Sequence, residues 1–209
     1  ICTPYPPQPV LKTLAIIGTA GRNADAGRLS ASVFRRMADA TKWLWQKGGF
    51  DHAVSGGAAW SDHTLVELGL AGIIAPEQIT LHLPAAVQNG QYINQGFGSP
   101  GGIANHYHRA FSNRMRVDTI GQIETLLARG AKSVTYAGGM IARNGGIAMD
   151  CAGLDDALLA FTYGTGKPWA ITKHDMGVSA LTAGLNPKGS GTLDTWNRAR
   201  CLKYHACLD

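Results

Sequence analysis

Short apolar runs that break off at glycine alternate along this chain with amphipathic stretches, and that alternation narrows the possible folds more than any other feature. Thr13-Leu-Ala-Ile-Ile-Gly18 has no charged residue, which is how a strand buried on both faces of a parallel sheet reads. Leu29, Val33, Met37, Ala40 and Leu44 then recur at spacings of three and four, marking one face of a helix that Gly48-Gly49 stops. His52-Ala-Val-Ser55 is the next short strand, broken by Gly56-Gly57. Residues 60–71 predict a helix with Ser61 or Asp62 near its N-terminus, and Ile79-Thr-Leu-His-Leu83 predicts a third strand closed by Pro84.

The second half repeats the pattern. Asp118 is placed to cap a helix carrying Ile120, Ile123 and Leu127, Ser133-Val-Thr-Tyr-Ala137 runs as a strand into Gly138-Gly139, and residues 141–149 predict a helix. Ala157-Leu-Leu-Ala-Phe161 and Trp169-Ala-Ile-Thr172 bring the strands to six, and a final helix is expected with Leu193, Trp196, Ala199, Leu202 and Ala206 on one side. Between 85 and 117 the periodicity fades, which predicts an inserted loop with a short helical piece around His108–Arg116. The proline-rich residues 1–12 read as an extended lead-in, and no repeat or linker divides 13–209. The fold class is therefore α/β: a single Rossmann-like domain with a doubly wound, mainly parallel sheet of about six strands and helices on both faces.

Composition fits this architecture. Glycine supplies 27 of 209 residues, about twice the usual share, and with no collagen-like period it must serve turns and close backbone approaches. A net charge of +5 favours anionic partners, but the basic residues are scattered, which counts against nucleic acid. No segment approaches the length of a membrane-spanning apolar run. A soluble cytoplasmic protein without a membrane partner is expected. Cys2, Cys151, Cys201 and Cys207 lack zinc or redox spacing and are read as reduced packing residues.

Ligands of open parallel sheets bind beyond the carboxyl ends of the strands. Three glycine-rich segments fit that edge: Gly18-Thr19-Ala-Gly21-Arg22, the stretch from Ser55 through Gly56 and Gly57 to Asp62, and Gly189-Ser190-Gly191-Thr192 opening the last helix. Glycine lets backbone amides reach a phosphate, and a helix N-terminus adds partial positive charge. None of the three matches the G-x-G-x-x-G or G-x-x-x-x-G-K-S/T signature, so no cofactor is implied.

Read in order, Ile-Ile-Gly-Thr-Ala-Gly-Arg22, Val-Ser-Gly-Gly-Ala-Ala-Trp-Ser-Asp62, Ala-Arg143-Asn144, Asp156-Ala-Leu-Leu-Ala-Phe161 and Gly-Ser-Gly-Thr-Leu-Asp-Thr195 form one progression. It resembles the SLOG superfamily of Rossmann-like nucleotide-binding domains, most closely the YspA/YpsA-related (YAcAr) branch, over about residues 13–200 and least in the 85–117 insertion. The resemblance implies a ligand derived from a nucleotide, such as ADP-ribose, a cyclic ADP-ribose isomer or a cyclic nucleotide. It also implies a homo-oligomer. Gly56 and Gly57 would meet the ligand with their amides, Asp62 would bond a ribose hydroxyl or cap its helix, Arg143 would lie near the sugar phosphate, and Gly189–Thr192 would cradle phosphate. A stand-alone binder of this kind would sense or sequester an immune signalling nucleotide.

One departure bears on catalysis. The related N-glycosidases carry a glutamate three residues after the threonine of the last motif, where this chain has Thr195; Ser190 also replaces a glycine. Cleaving an N-glycosidic bond needs a carboxylate, and the candidates are Asp194, Asp62 and Asp156. Binding is read ahead of catalysis, with an N-glycosidase as the alternative and single-stranded nucleic-acid binding, as in related DprA proteins, as a second alternative.

His106, His108 and Arg109 are candidate ligand contacts or ordinary polar loop residues. On a strand the two histidines would share a face, but no third ligand has metal-binding spacing, so no metal is expected. Tyr107 and Phe111 are placed to stack on a base or to pack the insertion down. Arg22 could grip phosphate in bidentate fashion. Asp155 reads as a turn residue, His174 and Asp175 lie near a strand exit, and Trp43, Trp45 and Trp196 are core or interface residues.

Overall fold

Strand β1 (Thr13–Gly18) shows why its sequence lacks a wet face. Leu14 and Ile16 enter a core with Leu29, Phe34 and Met37, while Ala15 and Ile17 enter a second core with Ile147 and Trp196. The computed structural model describes residues 11–94, 96–163, 167–174 and 191–209, so most of the expected lead-in, together with Asp175, Gly189 and Ser190, lies outside the described residues.

After β1 come a single helical turn α1 (Asp25–Arg28) and the long α2 (Ala31–Gly48), which ends at Gly49 in the left-handed conformation at φ 63°. Strand β2 (His52–Ser55) leads into a tight turn of 3-10 helix at Trp60–Asp62 and then α3 (His63–Leu70), so the helix expected over 60–71 is divided in two. Strand β3 (Ile79–Leu83) precedes a small hairpin of β4 (Val87–Gln88) and β5 (Gln91–Tyr92). Next are α4 (Pro100–Met115), α5 (Thr119–Ala128), β6 (Lys132–Thr135) and α6 (Gly139–Asp150). The chain closes with β7 (Ala157–Thr162), β8 (Ile171–His174), α7 (Gly191–Arg198) and β9 (Leu202–Cys207).

Among the described residues seven strands form one sheet in the order β6-β3-β2-β1-β7-β9-β8. Neighbours are parallel except β8, which runs antiparallel to β9. Side chains of α2, α3, α4 and α5 pack on one face, and those of α6 and α7 on the other. This is the expected Rossmann-like α/β domain. No helix among the described residues is long and apolar enough to cross a membrane.

Two expectations are corrected. The final helix does not run to Ala206: it stops at Arg198, and Leu202–Cys207 inserts between β7 and β8 as a seventh strand. The spacing of Leu202 and Ala206 fitted a helix, but Lys203, His205, Ala206 and Cys207 are all buried, as befits a strand covered on both sides. The 85–117 segment is likewise no loop with a short helical piece. It holds a hairpin and a 16-residue helix. The expected piece around His108–Arg116 covers only the second half of that helix, because its buried positions are Gly101, Ala104, His108 and Phe111, a three-four-three spacing built from few aliphatic residues.

Ser99 starts α4 by accepting the Gly102 amide at 3.1 Å, and Pro100 follows in the first helical position. Ser99→Ala is expected to cost about 1 kcal/mol, measured as the fall in unfolding free energy in urea.

Candidate functional site

The chain steps outward from β1 through β2 and β3 to β6, then returns to lay β7 on the other side of β1. Adjacent strands whose connections depart in opposite directions leave a crevice at their carboxyl ends. A cleft of about 280 Å³ lies there, with Gly18 at the end of β1 and Thr162 at the end of β7 in its wall.

Each element contributes by its position. From the β1 exit come Thr19 and Arg22. Thr19 donates its hydroxyl to Asp25 at 2.6 Å and accepts the Gly21 amide at 3.2 Å, so the Gly21 amide is engaged within the turn. The Arg22 guanidinium sits 5.2 Å from the Tyr107 ring centroid and reaches the Met140 sulfur at 3.5 Å. Arg22 therefore connects the first loop to α4 and α6 across the cleft.

The β2 exit is built around Gly56. Asp62, only 4 % exposed, accepts the Gly56 amide at 3.1 Å and the Ala58 amide at 3.4 Å. From α6, Arg143 donates to the Gly56 carbonyl at 3.1 Å and to the Asn144 side chain at 3.3 Å. A Cβ on Gly56 would stand 2.5 Å from the Asp62 carboxylate and 2.8 Å from the Arg143 guanidinium carbon. Glycine is what lets an acid and a base close on one turn. The carboxyl of Asp62 is raised from its ordinary pKa by burial, against the pull of Arg143 and the two amides. Arg143 is 8 % exposed, and its Nε has no hydrogen-bond partner among the described residues.

The opposite wall is the first turn of α7. Thr192 donates to the Gly18 carbonyl at 2.8 Å, and Gly191 and Thr195 also face the cleft. Asp194 accepts instead from Asn144 at 3.2 Å and from Arg198 at 2.8 Å, and it does not line the cleft. Asp156 precedes β7 at the other edge of the sheet, where it accepts the amides of Thr13 and Gly153. Of the three candidate carboxylates, only Asp62 belongs to the cleft.

The structure separates other candidates as well. Ser55 is wholly buried in β2, and the Gly56 amide that was expected to meet a ligand is held by Asp62. His106 and His108 lie on a helix, where a two-residue step turns the side chain by about 200°. They share no face. His106 is exposed beside Tyr107, and Arg109 lines a separate shallow depression with Gln91 and Asn105. His174 packs edge-on against the buried Trp196.

His108 is a prop of the cleft wall. Its Nε2 donates to the Gly57 carbonyl at 3.0 Å, and Tyr92 of β5 donates its hydroxyl to the same oxygen at 2.7 Å. The insertion therefore fixes the Gly56-Gly57 turn from behind while presenting Ala104 and Tyr107 to the cleft. Sequence reasoning passed over Tyr92, Met140 and Thr162. Only Tyr92 carried a signal, as an aromatic among polar residues. Burial lowers the pKa of His108 to about 4 and that of the neighbouring His63 to about 3, so both rings are neutral at pH 7.

The uncharacterized protein R261 of Acanthamoeba polyphaga mimivirus is 31% identical to this chain over 193 residues, which cover 90% of each protein. No family model and no solved structure matches the chain.

Proposed function

The chain and the mimivirus protein belong to one family, and we propose that this chain binds a nucleotide-derived small molecule in the cleft between β1 and β7. The observation that carries the reading is Arg143: a cation more than nine-tenths buried in the wall of a cleft at the sheet's switch point. A guanidinium lining a cleft suits an anionic group such as phosphate. The first turn of α7 adds partial positive charge on the facing wall, and Tyr107 offers a ring face for a base. We place the family among SLOG-type domains, with ADP-ribose, its cyclic isomers and cyclic nucleotides as the ligand class. A relative carried by a virus fits a binder that takes up a host signal.

Native mass spectrometry after incubation with a panel of these compounds tests the reading. One ligand recovered intact after denaturation is the expected result, and Arg143→Met should weaken its binding by about 2 kcal/mol, a factor of about 30. If no phosphate-bearing compound is retained, or if Arg143→Met binds as well as the parent, the proposal fails.

Asp62 favours a second reading. A buried carboxyl with a raised pKa in the cleft is suited to donate a proton to a departing base. Recovery of free base with the ribose moiety, abolished in Asp62→Asn, would make the protein an N-glycosidase.

A further inference from the structure

At the far end of α6 from the cleft, Cys151 follows the last helical residue, and Cys201 immediately precedes β9. Both are wholly buried, and their sulfurs lie 2.9 Å apart. That separation is within an ångström of the ~2.05 Å disulfide bond. Lys203, itself 3 % exposed, interacts electrostatically with both sulfurs. Cys207, the other described cysteine, is engaged elsewhere, 3.6 Å from the Asp209 carboxylate.

We propose that Cys151 and Cys201 are the two halves of a reversible disulfide. Hydrogen peroxide supplies the oxidising equivalent. One sulfur, as thiolate, attacks the peroxide O–O bond, becoming a sulfenic acid and releasing hydroxide, which takes up the thiol proton as water. The second sulfur attacks the sulfenic sulfur and displaces the hydroxyl, which leaves as a second water with the proton of the second thiol. Two S–H bonds and one O–O bond are exchanged for one S–S bond and two molecules of water. A small dithiol reverses the step by exchange. Burial and the neighbouring Cys201 hold the Cys151 thiol above its ordinary pKa, so oxidation is slow and awaits opening of the helix end.

The bond would close a loop of about 50 residues that contains β7, β8 and α7. On one side of it stands α6 with Arg143, and within the loop stands α7 with Thr192 and Thr195. Oxidation would therefore tie together the two helices that wall the cleft, whatever ligand the cleft takes.

The test compares reduced protein with protein treated with hydrogen peroxide, the free thiols being blocked after denaturation and the digest mapped without reductant. A peptide pair joined through Cys151 and Cys201 is expected, with a thermal midpoint raised by about 10 °C, both reversed by dithiothreitol. Cys201→Ala should give neither the joined pair nor the shift. Linkage through Cys2 or Cys207 instead, or full alkylation of Cys151 and Cys201 after oxidation, would overturn the proposal.

Discussion

Lowering the pH from 7 to 5 is expected to remove about 4 kcal/mol of folding stability through two histidines, His63 and His108. Both rings are buried, and their folded pKa values lie near 3 and 4, below the ordinary 6.5. Above 6.5 the folded and unfolded chains both hold neutral imidazoles, and no difference arises. Below it the unfolded chain takes up protons that the folded chain refuses, so acid favours unfolding. The loss grows until the folded rings titrate, first His108 and then His63. His205, lowered to about 4, acts in the same direction, while Asp62 opposes it because burial makes the folded carboxyl the stronger proton acceptor. Against a typical stability of ~5–15 kcal/mol, the shift should appear as a fall of about 10 °C in thermal midpoint. Urea unfolding at pH 7 and pH 5 measures it directly. The double variant His63→Gln, His108→Gln should flatten the dependence, and a parent protein equally stable at both values would show that the rings are not buried neutral.

His108 marks where the sequence stopped being legible. Strands buried on both faces announce themselves: Thr13–Gly18 and Ala157–Thr162 pack alternate residues into opposite cores, so each reads as an unbroken apolar run. Glycines mark the carboxyl ends of β1 and β2 in the sequence, but the strand order that makes a switch point between β1 and β7 is legible only in the structure. α4 gave no such signal, since its buried face is glycine, alanine, histidine and phenylalanine, and the polar atoms of His108 are satisfied by Thr119 and Gly57, partners distant in sequence. The strand β9 was hidden for a related reason. Lys203 and His205 are interior residues, His205 bonding the Thr162 hydroxyl at 2.7 Å, and polar residues in a strand covered on both sides defeat a reading based on hydrophobic runs.

For the cleft, Gly18, Gly57 and Gly191 of the motif segments line its wall, but the roles of side chains depend on contacts that spacing does not encode. Asp62 was expected to cap a helix or meet a ribose, and it binds the amides of the turn four and six residues earlier. Asp194 and Thr195 are adjacent, yet only the threonine faces the cleft, because one step along a helix turns the side chain by about 100°.

Gly56→Ala is expected to damage both stability and binding, because no other glycine among the described residues is approached so closely by two charged groups of the cleft. The added Cβ would stand 2.5 Å from the Asp62 carboxylate, 2.8 Å from the Arg143 guanidinium carbon and 3.0 Å from its Nε. Neither group can retreat freely: Asp62 is held by the amide of residue 56, and Arg143 by its carbonyl. Relieving the overlap means breaking one of those bonds and leaving a buried carboxylate or guanidinium short of a partner. Overpacking and the lost hydrogen bond together are expected to cost about 3 kcal/mol. Gly27→Ala is the matched control, since a Cβ there meets nothing within 4 Å and the residue sits in the short α1. Its effect should stay within about 1 kcal/mol of the parent. Unfolding in urea compares the two, and binding of the ligand identified by mass spectrometry should fall about 100-fold or more in Gly56→Ala alone, about 3 kcal/mol. A Gly56→Ala protein as stable as the parent and equally able to bind would mean that the Asp62 and Arg143 pairing around this turn is not what organises the cleft.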